Sequence, residues 1–295
     1  MGSFDVTPLT YQDKSDIRSL LIAFVERHDS FEDAANKIKE VSPSTLKEII
    51  KGDRMNIAHL VWLNVGKAIG WKHRHKYNIV DTQNSKTLLF YFNAAKEHGE
   101  TFAIVGNAGS GKTFVGKHYS KANAGKHVYL LQCSEYLNKD TFLKELLKVM
   151  GRNAGSKNVY EMMEEIVTVL SAQDCPLIIM DEVDKLKPAV LSFFITLYNK
   201  LHGLCGIVWM STDAIVQKID RGVRLNKIGF NEIFSRIGRR FIELPGITKK
   251  EVEAICKENG ITEAEDLSEV WNDCDGDCRR IDRMIIKNKM KKQRA

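Results

Sequence analysis

The sequence has few of the features that mark exported, membrane-bound or disordered proteins. It holds only five prolines among 295 residues and no low-complexity tract, which argues against a disordered or fibrous chain. It has no run of roughly 18 apolar residues, the length needed to span a membrane. The first residues lack the basic-then-apolar order of a signal peptide. We therefore expect a cytoplasmic protein that does not associate with membranes.

The six cysteines lack the spacing of a disulfide framework or a metal site. They are scattered, and several lie inside apolar runs, where a reduced thiol behaves as a small hydrophobic side chain. Only Cys274 and Cys278 are close together, with no second pair and no suitably spaced histidine. This usage fits a reducing, cytosolic setting.

Positive charge is unevenly distributed along the chain. The formal net charge is +6, and residues 277–295 alone hold 8 basic and 2 acidic residues. Residues 1–76 are nearly balanced, with 12 basic and 10 acidic residues. A basic C-terminal helix could bind nucleic acid, but a solvated helix face accounts for the same pattern.

The first part of the chain is predicted to be helical. Between residues 13 and 70, apolar residues recur at helical spacing in four or five short segments. Ser42 followed by Pro43 is a typical helix start, and that helix is expected to stop near Gly52.

Two of these short helices have the spacing of a helix-turn-helix unit of the phage-repressor type. In such a unit the second helix faces the DNA major groove, and here it would present Lys47 and Lys51. The turn has Lys39 and Glu40 where a glycine is usual. Any small helical bundle produces a similar spacing of apolar residues. DNA binding by this unit is therefore one of two open interpretations.

A different pattern follows the basic segment WKHRHK at residues 71–76. Apolar runs that read as strands alternate with helical segments, at 101–105, 127–133, 177–181, 206–211 and 240–244. Continuous apolar strands separated by helices predict an α/β fold with a parallel sheet covered on both faces. From about residue 248 only helices are expected, forming a small lid.

These patterns divide the chain into three predicted parts. They are a helical domain with its basic hinge, an α/β core, and a helical lid ending in a basic helix: residues 1–76, 77–246 and 247–295.

A complete phosphate-binding loop lies between the first predicted strand and a helix that begins at Lys112. The loop matches G-x-x-x-x-G-K-[ST] with Gly106, Asn107, Ala108, Gly109, Ser110, Gly111, Lys112 and Thr113. Its glycines let backbone N–H groups surround phosphate oxygens at a helix N-terminus. Lys112 would neutralise the β- and γ-phosphates of ATP, and the Thr113 hydroxyl would bind Mg²⁺.

The apolar strand LIIMDE supplies the second half that such a site requires. It ends in Asp181, which would hold Mg²⁺ through water, and Glu182, which would orient or deprotonate the attacking water. A glutamate at this point favours ATP hydrolysis over binding alone.

The two motifs together resemble those of AAA+ ATPases, and two further segments extend the resemblance. After the strand ending in WMST, the resemblance implies that Thr212 is the first sensor of the γ-phosphate, although a turn or helix cap at Asp213 is equally compatible. The segment FSRIGRR resembles the arginine-finger region. It implies that Arg236 completes the site of a neighbouring subunit, with Arg239 and Arg240 as rival donors and a surface salt bridge as the alternative role.

The segment GDCRRID at 276–282 resembles the second sensor of the initiator branch of this family. The resemblance implies that Arg279 reaches back to the nucleotide from the start of a lid helix, with Arg280 as the second choice. Both arginines could instead simply extend the basic face of that helix.

A finger supplied by a neighbour implies self-assembly into a head-to-tail ring or helical filament. In such an assembly, basic residues after the helix that follows the second strand would be candidates for contacting DNA: Lys148, Arg152 and Lys157. A solvated loop is the alternative for these three residues.

The order of domains resembles the target-capture, transposase-helper ATPases of the phage Mu B type. The resemblance implies an ATPase that binds double-stranded DNA without sequence preference, polymerises on it and delivers it to a transposase. A helicase-loading or replication-initiation ATPase, or a nucleotide-switched regulatory ATPase, remains the alternative.

Overall fold

The computed structural model describes residue 9 and residues 11–28, 30–38, 41–52, 57–71 and 80–294. The chain forms two compact units, residues 1–76 and 77–295. Residues 72–76 of the predicted hinge lie outside the described residues, as do the turn residues Lys39 and Glu40. Among the described helices, none combines the length and the apolar character needed to cross a bilayer.

The first unit contains four described helices: α1 (Tyr11–Val25), α2 (Phe31–Lys37), α3 (Pro43–Lys51) and α4 (His59–Ala68). Their apolar stripes meet in a core that includes Ile17, Leu46 and Trp62. The Ser42 side chain accepts a hydrogen bond from Thr45 N at the start of α3, and Gly52 ends this helix in the left-handed conformation.

The second unit begins as an alternation of helices and strands. In order along the chain these are α5 (Gln83–His98), β1 (Thr101–Val105), α6 (Lys112–Ala122), β2 (Val128–Gln132), α7 (Lys139–Val149), α8 (Val159–Ser171), β3 (Leu177–Asp181), a 3₁₀ turn (Val183–Lys185), α9 (Pro188–Leu201), β4 (Gly206–Ser211), α10 (Ala214–Arg224), α11 (Phe230–Arg236) and β5 (Ile242–Glu243).

The five strands form one parallel sheet in the order β2-β3-β4-β1-β5. The prediction of a parallel sheet is confirmed, but the last strand is shorter than the predicted 240–244. It pairs with β1 only at Ile242 and Glu243. The chain reaches this strand through Arg239, whose left-handed backbone (φ 54°) does not belong to a strand.

Both faces of the sheet are buried, because side chains on successive residues of a strand point to opposite faces. On β4, Trp209 packs into the cluster formed with α7–α11, whereas Val208 and Met210 pack against α5 and α6. This arrangement explains why β3 and β4 are continuous apolar runs in the sequence.

Three helices form the lid: α12 (Lys249–Glu258), α13 (Ala264–Cys274) and α14 (Cys278–Arg294). They enclose a small core of their own, in which the thiols of Cys256 and Cys274 are buried beside Val252, Val270 and Ile285.

Candidate nucleotide-binding site

The predicted phosphate-binding loop connects the end of β1 to the start of α6. Gly109 and Gly111 have left-handed backbones, with φ of 81° and 89°, which a residue with a side chain rarely adopts. A Cβ atom at Gly109 would also collide with the carboxylate of Asp277 in the lid. Glycine is therefore needed here both for the conformation of the loop and for the close approach of the lid.

Lys112 is the first residue of α6, and its side chain is buried beneath the loop. The Nζ atom donates hydrogen bonds to Gly106 O at 2.6 Å, Asn107 O at 3.0 Å and Ser110 Oγ at 3.0 Å. Burial lowers the pKa of Lys112, and the nearby carboxylate of Asp181 opposes this shift. The ammonium group is thus held inside the loop where a phosphate would bind.

Thr113 and Asp181 form a direct link between the loop and β3. Thr113 Oγ1 donates a 2.6 Å hydrogen bond to Asp181 Oδ2, and the backbone N–H of Glu182 donates to Asp181 Oδ1 at 3.0 Å. Burial raises the pKa of Asp181, while the hydrogen bond from Thr113 acts to lower it. A hydroxyl and a carboxylate are the hard oxygen ligands that Mg²⁺ prefers.

Glu182 follows β3 with a left-handed backbone (φ 58°), a strained conformation for a residue with a long side chain. Its Oε2 atom accepts hydrogen bonds from Lys185 Nζ at 2.9 Å and from Gln132 Nε2 at 3.3 Å. The side chain therefore lies at the carboxyl edge of the sheet, between the ends of β2 and β3.

The end of β4 contributes the polar side chains of Ser211 and Thr212. Both hydroxyls donate to the carboxylate of Asp184, at 2.6 Å and 3.3 Å respectively. Asp184 lies in the 3₁₀ turn after β3, so the ends of two neighbouring strands are joined by side chains.

These groups surround a cleft of about 610 Å³. Its lining includes most of the residues predicted to bind nucleotide, namely Ala108, Gly109, Ser110, Gly111, Lys112, Thr113, Asp181, Glu182, Thr212 and Arg279. Gly106 and Asn107 contribute through the carbonyl groups that bind Lys112. Apolar side chains from either end of the unit, including Val80, Ile255 and Ile281, line the rest.

The lid touches the phosphate-binding loop at the start of α14. Cys278 N donates to Gly109 O at 3.0 Å, and Asp277 Oδ1 accepts from Arg279 N at 2.7 Å. Arg279 lines the cleft, whereas Arg280 is bound to Asp273 at 3.1 Å. The structure thus separates the two candidates for the second sensor.

Arg236 is absent from the lining of this cleft. Its guanidinium group donates to Asn199 Oδ1 from Nε at 3.0 Å and from Nη2 at 2.9 Å, and it lies over the ring of Tyr198. An ion pair with Glu232 completes its contacts. The rival donors Arg239 and Arg240 are exposed.

The residues predicted to bind DNA are exposed, but two of them are already paired. Lys148 on α7 contacts Glu145, and Lys157 contacts Glu165, each at 3.1 Å. Arg152 is exposed in the connection between α7 and α8. In the first unit, Lys47 and Lys51 are exposed on α3, with Lys47 Nζ lying 4.9 Å from the ring centroid of Phe31.

Asp184 and Asn84 are among the residues at the site that were not predicted from the sequence. Asp184 follows Glu182 by only two positions, so a third carboxylate in the motif was a usable signal. Asn84 on α5 donates from Nδ2 to Ser110 O at 3.2 Å. Its position 26 residues before Ser110 gives no local signal of this contact.

The sheet order, the loop after β1, the carboxylates after β3 and the helical lid define an α/β fold of the P-loop AAA+ type. Residues 95–215 match a protein family described as an AAA domain. The matched residues include the loop after β1 and the carboxylates after β3.

Three known proteins illustrate the similarity. A stretch of 100 residues, 34% of the chain, is 29% identical to Midasin from Dictyostelium discoideum and spans 2% of that protein. A solved Thermotoga maritima RuvB mutant has a TM-score of 0.45 and 16% identity, covering 73% of this chain and 65% of that one. Drosophila ORC, solved bound to DNA, has a TM-score of 0.40 and 13% identity, covering 81% and 66%. The chain therefore spans less than two thirds of each of these proteins.

Proposed function

We propose that this chain is an ATP-dependent DNA-binding ATPase that oligomerises on double-stranded DNA and delivers it, without sequence preference, to a transposase. The observation that carries the ATPase part is the cleft in which the loop holding Lys112 lies against the Thr113–Asp181 pair and Glu182.

The residues of the cleft fit ATP with Mg²⁺. Lys112 and the backbone of the loop would hold the phosphates, and Thr113 and Asp181 would hold the metal ion. Bound Mg²⁺ neutralises charge that develops on the phosphate oxygens. The apolar part of the cleft, with Val80, Ile255 and Ile281, is suited to a nucleoside base.

Glu182 would orient and deprotonate the water that attacks the γ-phosphate. Its carboxylate is fixed by Lys185 and Gln132, and its strained backbone is a feature that persists where the surrounding structure enforces it. Arg279 would bind the phosphates from the lid.

Self-assembly is supported by the position of Arg236 outside the cleft of its own chain. A planar guanidinium group held by Asn199 and Tyr198 is already oriented, so it loses little freedom when it contacts the phosphates of a neighbour. A head-to-tail contact of this kind produces a ring or a filament.

DNA binding is supported by exposed basic side chains on α14, which include Arg283, Lys291 and Lys287, the last of them paired with Glu269 at 3.6 Å. Contacts with backbone phosphates give affinity without reading the bases, as required of a protein that accepts almost any target. Arg152, Lys148 and Lys157 are further candidates, and the ion pairs of the two lysines reduce their contribution. Lys47 and Lys51 would contact DNA through the predicted helix-turn-helix unit.

Delivery to a transposase rests on the resemblance to the phage Mu B type, namely a small helical unit followed by one AAA+ unit with a short lid. Its test is to add a transposase or a replicative helicase to the DNA-bound protein. Stimulation of ATP hydrolysis by the transposase alone would support the proposal, and stimulation by the helicase alone would contradict it.

The decisive experiment is electron microscopy with sedimentation, using duplex DNA of arbitrary sequence. The protein should coat the DNA as filaments or rings with ATP or a slowly hydrolysed analogue, but not with ADP. Monomers in all three states would overturn the proposed assembly.

A further inference from the structure

Asp184 is a side chain at the site that the nucleotide motifs leave without a role. It lies in the 3₁₀ turn between Glu182 and α9, and its carboxylate accepts hydrogen bonds from Ser211 Oγ at 2.6 Å and Thr212 Oγ1 at 3.3 Å. Its own backbone N–H donates to Ser211 Oγ at 3.3 Å. Three hydrogen bonds therefore join this turn to the end of β4.

The same turn is anchored on its other side by α10. The ammonium group of Lys218 donates to the carbonyl groups of Asp184 and of Leu186, the latter at 3.0 Å. The turn is thus held by β4 on one side and α10 on the other, and Glu182 is the cap residue directly before it. Any change in the bonding of Asp184 acts directly on the backbone that orients Glu182.

The hydroxyl of Thr212 can donate one hydrogen bond, and Asp184 accepts it. A phosphate oxygen can only accept hydrogen bonds. Thr212 can therefore donate a hydrogen bond to a γ-phosphate only by giving up its hydrogen bond to Asp184. The bond from Ser211 is shorter and is reinforced by the backbone of Asp184, so Thr212 is the partner that can exchange.

We propose that Asp184 is a positioning residue that passes the presence of the γ-phosphate from Thr212 to the turn bearing Glu182. With ADP bound, the hydroxyls of Ser211 and Thr212 both donate hydrogen bonds to Asp184. With ATP bound, the Thr212 hydroxyl donates to the γ-phosphate instead, and Asp184 accepts a side-chain hydrogen bond from Ser211 only. This inference rests on the proposed ATPase function and adds a route by which the site distinguishes ATP from ADP.

Asp184→Asn tests the proposal with little change in shape. Ser211 and Thr212 donate to different oxygens of Asp184, and an amide keeps only one of the two as an acceptor, so one of these contacts is lost. We expect ATP affinity within about threefold of the unaltered chain and kcat lower by about tenfold to a hundredfold, the effect of a displaced catalytic group. Asp220→Asn, an exposed carboxylate on α10, is the matched control and should leave kcat unchanged.

Thr212→Val, Thr212→Ser and the double variant with Asp184→Asn separate this role from a purely structural one. The Val variant should lose kcat, and the Ser variant should recover it because the hydroxyl is restored. If Asp184 and Thr212 act through each other, the double variant should be no slower than the slower single variant. Independent, multiplying losses would overturn the proposal, as would a kcat for Asp184→Asn within twofold of the unaltered chain.

Hydrogen exchange on the unaltered chain gives a second test that does not depend on any variant folding. The amides of residues 184–186 should exchange faster with a slowly hydrolysed ATP analogue than with ADP, because one contact on Asp184 is released. Equal or slower exchange would overturn the proposal. If the unaltered chain does not hydrolyse Mg·ATP at all, it is the proposed function that fails.

Discussion

The hydroxyl of Thr113 donates a 2.6 Å hydrogen bond to Oδ2 of Asp181, a residue 68 positions further along the chain. Through this contact the first turn of α6 is fixed to the end of β3, on the sheet edge where Glu182 begins the next turn. The loop that contains Thr113 and the carboxylates after β3 therefore form one site. Variants of the loop and variants of Glu182 should impair different steps, ATP binding and ATP hydrolysis respectively.

Lys112→Ala should weaken ATP binding, whereas Glu182→Gln should impair hydrolysis and leave ATP binding unchanged. Loss of the ammonium group removes charge-assisted hydrogen bonds to phosphate, each worth about 1.5–3 kcal/mol, so ATP affinity should fall by about tenfold to a hundredfold. Glu182→Gln should keep ATP affinity and lower kcat by about 10²- to 10⁴-fold, trapping the assembly on DNA. Calorimetry and single-turnover hydrolysis measure the two quantities. Equal behaviour of the two variants would contradict the assigned roles.

Arg236→Ala should bind ATP normally but fail to hydrolyse it, because the guanidinium group is proposed to act on a neighbouring subunit. Mixing this variant with Lys112→Ala should restore hydrolysis, since the second variant supplies an intact Arg236 to its neighbour. Each variant alone should stay inactive.

Asn199→Ala is the control for a structural role of Arg236. It removes the partner of the guanidinium group and retains the arginine. If Asn199→Ala is as inactive as Arg236→Ala and is not rescued by mixing, the arginine acts within its own chain. Activity that survives Arg236→Ala but is lost on Arg239→Ala or Arg240→Ala would reassign the finger.

Asn84→Ala should weaken ATP binding by about fivefold, the effect of losing one hydrogen bond of about 1 kcal/mol to the phosphate loop. The thermal midpoint should change little, because Asn84 Oδ1 is buried without a hydrogen-bond partner among the described residues, and alanine removes this group too. Titration calorimetry and thermal melting measure the two effects. The control is Asn93→Ala on the same helix, whose amide accepts from Tyr119 OH at 2.7 Å. It should lose stability and keep ATP affinity; the reverse pattern would contradict the role of Asn84.

Stability of the lid should depend on pH through Asp282. Burial, with the nearby charge of Asp277, raises the pKa of Asp282 from 3.8 to about 6. The folded chain therefore holds this proton more tightly than the unfolded chain, and stability contributed by this group falls as pH rises from about 4 to 6. Asp282→Asn should raise the thermal midpoint at pH 8 and have a smaller effect at pH 4. An identical shift at both pH values would argue against this titration.

The phosphate-binding loop could be predicted from the sequence for a local physical reason. The residues from Gly106 to Thr113 are contiguous, and the left-handed conformations at Gly109 and Gly111 are ones for which glycine is selected. A buried strand before the loop and a helix after it were recognisable from their patterns alone. Asp181 and Glu182 were predicted in the same way, as carboxylates at the end of an apolar run.

The two candidates for the second sensor show what the sequence could not decide. Arg279 and Arg280 are adjacent, and on a helix two adjacent residues point about 100° apart. Which of them faces the cleft depends on how α14 is rotated against the rest of the lid. Packing of Ile281 and Ile285 in the lid core, with the hydrogen bond from Cys278 N to Gly109 O, turns Arg279 to the cleft and leaves Arg280 with Asp273.

The sequence by itself determined the parallel sheet and the positions of the glycine-rich loop and the carboxylates at the ends of β1 and β3, because alternating apolar runs and a contiguous loop motif are local properties. Tertiary structure decided which distant polar groups meet there. The order β2-β3-β4-β1-β5 sets β4 beside β3, and only this adjacency brings Thr212 to Asp184. Strand order follows from the packing of helices on both faces of the sheet, which no single segment of the chain encodes.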